Sequence, residues 1–226
     1  MWVLIYVINC LNQNPKPNPN SKISFEGLKE NLRLGEGVYR DFKKEFPFLR
    51  SNTFVGSKIV QYEGSDSFTK IKPKVDKLVK DYGEGIVNIR ELLKVSRYNN
   101  FEDFIVVTKK LVSKYGFANC AEQTDIVQNK LLKKGEKAHR ITMTVRDIES
   151  NRLKAYGDHV FSVFGLKKGA KPDYPNTWGN KAVVVDTWAN RVMPANEAID
   201  YFKSKLGFKA EAHNVDFFLS DRVAIE

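Results

Sequence analysis

A cysteine, a histidine and an aspartate occur in this chain in the order that thiol-dependent acyl chemistry uses. Cys120 lies within GFANCAEQ, His159 begins HVFSV, and Asp186 ends AVVVD. In such chemistry a thiolate attacks a carbonyl carbon, an imidazole exchanges the proton, and a carboxylate orients the imidazole. The three residues therefore predict a catalytic site with a thiol nucleophile.

The residues around Cys120 predict the start of a helix. Asn119 is a favourable N-cap, and Glu122 follows three residues later, so the pair predicts a capping box opening a helix over 119–134. Cys120 would then occupy the first helical position, where free backbone N–H groups favour a thiolate and can stabilise an oxyanion. Asn119 is accordingly expected to shape the site. The alternative is a packed structural thiol near a helix start.

Of the three histidines, His159 is the best candidate for the base. It opens a predicted strand, from which an imidazole can face a cleft, and it follows Cys120 by enough chain to return to it. His139 also begins a strand, but on its apolar face beside Ile141, which favours a structural role. His213 lies in a polar stretch near the end of the chain and is expected at the surface.

Asp186 is the candidate for the group that orients the imidazole. A carboxylate that ends an apolar run needs a partner if it is buried, and an imidazolium on a neighbouring strand would supply one. Asp186 could instead simply start a turn, where aspartate is common. Trp188, two residues later, is expected either to shield the pair from water or to be an ordinary core tryptophan.

The elements that must position these residues follow an α+β order. An apolar periodicity of 3.6 residues predicts helices over residues 24–45, 68–82, 89–95, 101–115, 119–134 and 195–206. Alternation and β-branched runs predict strands near 139–146, 159–164, 182–186 and 215–219. Helices followed mostly by hairpin-linked strands indicate helices packed on an antiparallel sheet.

The start of the chain is expected to be separate from the catalytic domain, with a segment at 1–22 and one domain over 23–226. The apolar run Met1–Ile8 is too short to span a bilayer and lacks a basic leader, so we expect a core strand there. Residues 12–21 are rich in proline and asparagine and predict an extended linker. Cys10 is expected to be an inert packed thiol, and two cysteines make no disulfide scaffold.

Composition limits the partners. The 226 residues are 42% hydrophobic, which predicts a packed globule, and a net charge of +10 predicts an acidic partner, which could be a protein, a nucleic acid or an anionic membrane. No nucleic-acid-binding motif is present, which argues against direct base reading. Paired cysteines, His-x-x-x-His spacing and a glycine-rich phosphate loop are also absent from the sequence, so we expect neither a metal nor a cofactor.

The motifs Asn-Cys-x-Glu, HVFSV and VVDTWAN, over about residues 115–190, resemble the papain-like and transglutaminase-like cysteine enzymes. The likeness is greatest to the bacterial effector and toxin branch, whose members cleave, deamidate or transamidate host proteins. The resemblance implies a papain-like fold, Cys120 as nucleophile, His159 as base and Asp186 as orienting group. It also implies a protein substrate and a soluble protein secreted by a bacterium into a host cell cytosol.

The chain departs from the papain pattern at one point. Papain-type proteases carry an oxyanion-hole glutamine shortly before the cysteine, and residues 111–119 contain none. The resemblance therefore favours thiol acyl chemistry in general, whether by a deamidase, a transglutaminase or a protease. Two alternatives are a basic protein-binding module with a degenerate triad and an acyltransferase that uses a thioester donor.

Overall fold

The structure, a computed structural model, describes residues 19–52 and 68–221, with helices first along the chain and strands after them. The helices are α1 (Pro19–Glu45), α2 (Phe68–Val95), α3 (Phe101–Tyr115), α4 (Cys120–Lys133) and α5 (Ala195–Lys205). The strands are β1 (His139–Asp147), β2 (Leu153–Phe164), β3 (Val183–Asp186), β4 (Arg191–Pro194) and β5 (His213–Leu219). The five strands form one sheet in the order β4-β3-β2-β1-β5 with every pairing between them antiparallel, which confirms the α+β class.

Helix α4 packs across one face of the sheet, along β2. The Thr124 hydroxyl donates to the carbonyl of Val160 at 2.9 Å, and the Ser162 hydroxyl donates to the carbonyl of Thr124 at 3.3 Å. A first apolar core lies in this layer, between α1, α3, α4 and the sheet, and includes Phe42, Val112, Ile126, Leu131, Phe164 and Val185. The sheet and α4 therefore form one unit, and α4 is held in register with β2.

Helix α5 and the loop before β3 cover the opposite face of the sheet. A second apolar core fills this layer and includes Ile141, Met143, Phe161, Trp178, Val184 and Phe202. Ile141, Met143 and Val145 of β1 all face this second core, as the two-residue period of a strand requires, while Arg140 of β1 faces α4 and pairs with Asp125. The sheet is thus covered on both faces.

The two long helices differ from their predictions. Helix α1 begins at Pro19, so the end of the predicted linker is helical, with proline near a helix start where its missing N–H is tolerated. Helix α2 is continuous over 28 residues, although two shorter helices were predicted. Gly85 lies inside it against Phe117, where a Cβ would sit 2.7 Å from the ring. No helix in the described ranges is long and apolar enough to cross a membrane.

The sheet confirms most of the predicted strands and adds to them. Strand β2 begins at Leu153, so His159 lies in its interior and does not open it. Strand β4 was not predicted; it follows β3 after a tight turn in which Asn190 has a positive φ of 57°. The predicted N-terminal strand, most of the linker and Cys10 lie outside the described residues.

Candidate active site

Helix α4 begins at Cys120, as the sequence predicted. The Glu122 carboxylate accepts the backbone N–H of Asn119 at 2.9 Å, and the N–H of Gln123 bonds the carbonyl of Asn119 at 3.1 Å. Cys120 is a half-buried free thiol in the first turn. The first N–H groups of a helix have no partner within it, so this turn presents backbone donors beside the sulfur.

The side chain of Asn119 fixes the helix start to two other parts of the chain. Its Oδ1 accepts the hydroxyl of Tyr82 at 2.5 Å and the backbone N–H of Asn52 at 3.3 Å. The Oδ1 of Asn52 in turn accepts the indole N–H of Trp188 at 2.7 Å. A chain of hydrogen bonds therefore runs from α2 to the turn after β3, past the residue that precedes Cys120. Neither Tyr82 nor Asn52 was predicted from the sequence to lie at the site.

His159 and Asp186 form a buried pair. The imidazole Nε2 lies 2.6 Å from the Oδ2 of Asp186, and the two side chains are 1% and 2% exposed. The other carboxylate oxygen accepts the backbone N–H of Ala189 at 3.0 Å, which fixes the carboxylate at the turn after β3. Because Nε2 is used by the carboxylate, Nδ1 is the ring nitrogen left for another partner.

Two aromatic side chains enclose the imidazole. The rings of Trp188 and Phe202 each lie 4.5 Å from the ring of His159, centroid to centroid. Phe202 is fully buried on α5, whereas Trp188 is partly exposed. Trp188 therefore lies between the imidazole of His159 and the protein surface.

The Cys120 thiol also interacts with His159. Burial lowers the pKa of His159, but the charge and hydrogen bond of Asp186, together with those of Cys120, outweigh it and raise the pKa to about 9. Nδ1 is buried and makes no hydrogen bond of ordinary geometry to any described group, so the contact with the sulfur is looser than the one with Asp186. His159 is thus an imidazolium at neutral pH, with the thiol beside it.

Charged and polar groups on α2 also face the start of α4. The Arg90 Nε donates to the Glu122 carboxylate at 3.1 Å, and Glu122 is the buried residue that caps Asn119. Burial lowers the pKa of Arg90, but the charges of Glu122 and Cys120 outweigh it and raise the pKa. Burial raises the pKa of Tyr82, and the charge of Cys120 adds to that effect. Arg90 was not predicted from the sequence to lie at the site either.

The other two histidines lie apart from this cluster. His139 pairs through Nδ1 with Asp221 at 2.9 Å, and His213 accepts the backbone N–H of Lys209 at 3.0 Å. Asp125 of α4 is buried and forms an ion pair with Arg140 of β1 at 2.9 Å.

Within residues 19–52 and 68–221, no group of three or more His, Cys, Asp or Glu side chains is placed to hold a metal ion. No protein-family model, curated protein or solved structure matches the chain. The assignment of a function therefore depends on the geometry of the cluster formed by Cys120, His159, Asp186 and Trp188.

Proposed function

We propose that this protein is a cysteine-dependent acyl-transfer enzyme of the papain-like or transglutaminase-like kind. The supporting observation is that Cys120 opens a helix beside the imidazole of His159, whose second nitrogen is held by the buried carboxylate of Asp186. A thiol, a base and an orienting group in this arrangement are what nucleophilic catalysis by cysteine requires.

The first half of the reaction uses the proton that His159 holds at rest. The thiolate form of Cys120 attacks the carbonyl carbon of a carboxamide or peptide bond, an S–C bond forms, and the negative charge passes from sulfur to the carbonyl oxygen. His159 then gives its Nδ1 proton to the leaving nitrogen, and the C–N bond breaks. Ammonia or an amine departs, and a thioester on Cys120 and a neutral imidazole remain.

The second half restores the resting site. Neutral His159 takes a proton from an attacking water, the new C–O bond forms, and the C–S bond breaks to return the thiolate and the imidazolium. This outcome is deamidation or proteolysis, according to the bond attacked. An amine that attacks in place of water gives transamidation by the same proton transfers.

Two surrounding features support this chemistry. Backbone N–H groups at the start of a helix such as α4 are suited to stabilise the negative oxygen of the tetrahedral intermediate. Trp188 covers the imidazole, and exclusion of water strengthens the electrostatic contact between His159 and Asp186. The substrate we propose is a carboxamide or peptide bond of a protein, and the resemblance to bacterial effectors suggests a host protein.

The proposal is tested by acylation of the thiol with p-nitrophenyl acetate at neutral pH. We expect a burst of nitrophenol, with the acetyl group located on Cys120 by peptide mass spectrometry and Cys10 unmodified. The Cys120→Ala variant should lose the burst and keep its thermal unfolding midpoint, and Cys10→Ser should keep both. Acylation of Cys120 at the rate of free cysteine would instead favour the binding module with a degenerate triad.

A further inference from the structure

Three side chains form a row across the sheet beside the start of α4. In the strand register, Thr144 of β1 lies opposite Asp158 of β2 on one side and opposite Asp216 of β5 on the other. Directly paired residues of neighbouring strands point to the same face of a sheet. Strands are spaced by about 4.8 Å, so the two aspartates stand about 10 Å apart at the backbone with the threonine between them.

The central residue of this row is a buried polar group without a partner. Thr144 is only 7% exposed, and its hydroxyl makes no hydrogen bond to any described group. An unsatisfied buried hydroxyl destabilises the fold, so its position between two carboxylates points to a ligand that satisfies it. Asp158 is exposed, and Asp216 is about half exposed with Arg146 3.6 Å away as its cation.

The row lies under the first turn of α4. Thr124 is bonded to the carbonyl of Val160, and four helical residues span about 6 Å, nearly the length of two strand residues. Cys120 precedes Thr124 by four residues, and Asp158 precedes Val160 by two. Cys120 therefore lies beside Asp158 along the length of the strand. Arg140 of β1 pairs with Asp125, so its side chain points to the face of the sheet that α4 covers. Thr144 follows Arg140 by four residues of the strand, and an even spacing places its side chain on that same face.

We propose that Asp158, Thr144 and Asp216 form a subsite for a primary ammonium group, carried by a lysine of the substrate next to the carbonyl that Cys120 attacks. An ammonium group has three N–H donors, and the row offers two carboxylates and one hydroxyl as acceptors. The row is acidic within a protein whose net charge is +10, so it selects for a cation locally. This inference names a substrate feature and rests on the proposed acyl-transfer function.

The test compares two reagents that form the same kind of disulfide with Cys120. One is 2-aminoethyl methanethiosulfonate, which carries an ammonium group, and the other is neutral methyl methanethiosulfonate. Rates are measured at about 10 mM salt, where the screening length is about 30 Å, in a Cys10→Ser background, and each is divided by the rate with free cysteine. We expect the cationic reagent to be favoured about tenfold by this normalised ratio.

Variants connect that preference to the row. Asp158→Asn and Asp216→Asn should each lower the ratio about threefold, and Thr144→Val should lower it about twofold. Glu102→Gln is the matched control, since it removes the same charge beside Lys133, at the far end of α4 about 20 Å away. It should leave the ratio unchanged.

The outcome separates this inference from the proposed function. The rate with the neutral reagent reports how reactive the thiol is, whereas the change in the ratio from wild type to the row variants reports the row. A wild-type ratio near one, or one that Asp158→Asn with Asp216→Asn leaves intact, would overturn the subsite whatever the neutral rate. N-acetyl-lysinamide should also protect Cys120 from the neutral reagent. If 1,5-diaminopentane protects Cys120 and N-acetyl-lysinamide does not, the assignment to a peptide lysine is overturned.

Discussion

Two histidine–aspartate pairs lie on this sheet, and their surroundings differ. His159 meets Asp186 at 2.6 Å with both side chains almost fully buried, whereas His139 meets Asp221 at 2.9 Å with side chains 12% and 20% exposed. Both histidines lie on strands, and both carboxylates follow or end a strand. The pair alone therefore does not identify a catalytic site.

The difference lies in what else each pair contacts. Asp221 also accepts the Gln128 amide and the backbone N–H of Arg140, each at 2.6 Å, so it fastens the end of the described chain to α4 and β1. Burial raises the pKa of Asp221, but these hydrogen bonds and the one from His139 outweigh it and lower the pKa. Among the described residues, Asp186 accepts hydrogen bonds from His159 and from the backbone N–H of Ala189, and its histidine also interacts with a thiol. The third group distinguishes a structural pair from a candidate catalytic one.

The largest difference between the pairs should appear in acylation of the thiol. His159→Asn should slow the p-nitrophenyl acetate burst about 100-fold or more, because the proton donor and acceptor beside Cys120 is lost. His139→Asn makes the same change in the pair that lacks a thiol, and it should slow the burst less than about threefold. Both rates are measured at pH 7 by stopped-flow absorbance.

Unfolding curves provide the control for that comparison. If His159→Asn is folded by circular dichroism and still acylates at the wild-type rate, His159 is not the base. An equal loss of rate in the two variants would remove the distinction between the pairs, since it would indicate a general effect of repacking the sheet.

The second contrast is in the pH dependence of stability. The pKa of His159 is about 9 in the folded chain against an ordinary value of 6.5, so its protonation favours the folded state. The contribution is fully present below about pH 6.5, declines as the pH rises, and is lost above about pH 9. A difference of this size is worth about 3 kcal/mol in the free energy of unfolding.

Urea unfolding at pH 6 and at pH 9.5 measures this contribution. The wild type and His139→Asn should both lose stability over the interval, and His159→Asn should lose about 3 kcal/mol less than they do. Equal losses in all three proteins would show that the Asp186 and Cys120 contacts do not hold the proton on His159.

The parts of the site that were predicted from the sequence are local. Gly116 ends α3 with a φ of 72°, and Asn119 and Glu122 open α4, so the position of Cys120 follows from its immediate neighbours. The pairing of His159 with Asp186 was predicted from residue type and from their order on successive strands. Strand alternation then predicted the sheet that brings them together.

The remaining parts depend on contacts between distant segments. The hydrogen bonds of Asn119 with Tyr82 and Asn52 span 37 and 67 residues, and the one from Trp188 to Asn52 spans 136. Burial of Asp125 could not be inferred from helical periodicity either, because it depends on Arg140 from the sheet. Polar residues in these contacts carry no periodic pattern, so only the folded chain relates them.

The smallest predicted effect concerns the hydrogen bond between Trp188 and Asn52. Trp188→Phe keeps an aromatic ring over His159 but removes the indole N–H, so we expect about 1 kcal/mol less stability and an acylation rate about threefold lower. Trp178→Phe is the matched control, because it removes an indole N–H that donates to the carbonyls of Lys171 and Pro172 in the core on the α5 side. It should cost similar stability without slowing acylation. A rate loss in both variants would mean that acylation responds to stability in general, whereas a loss confined to Trp188→Phe would connect the Asn52 contact to the position of the imidazole.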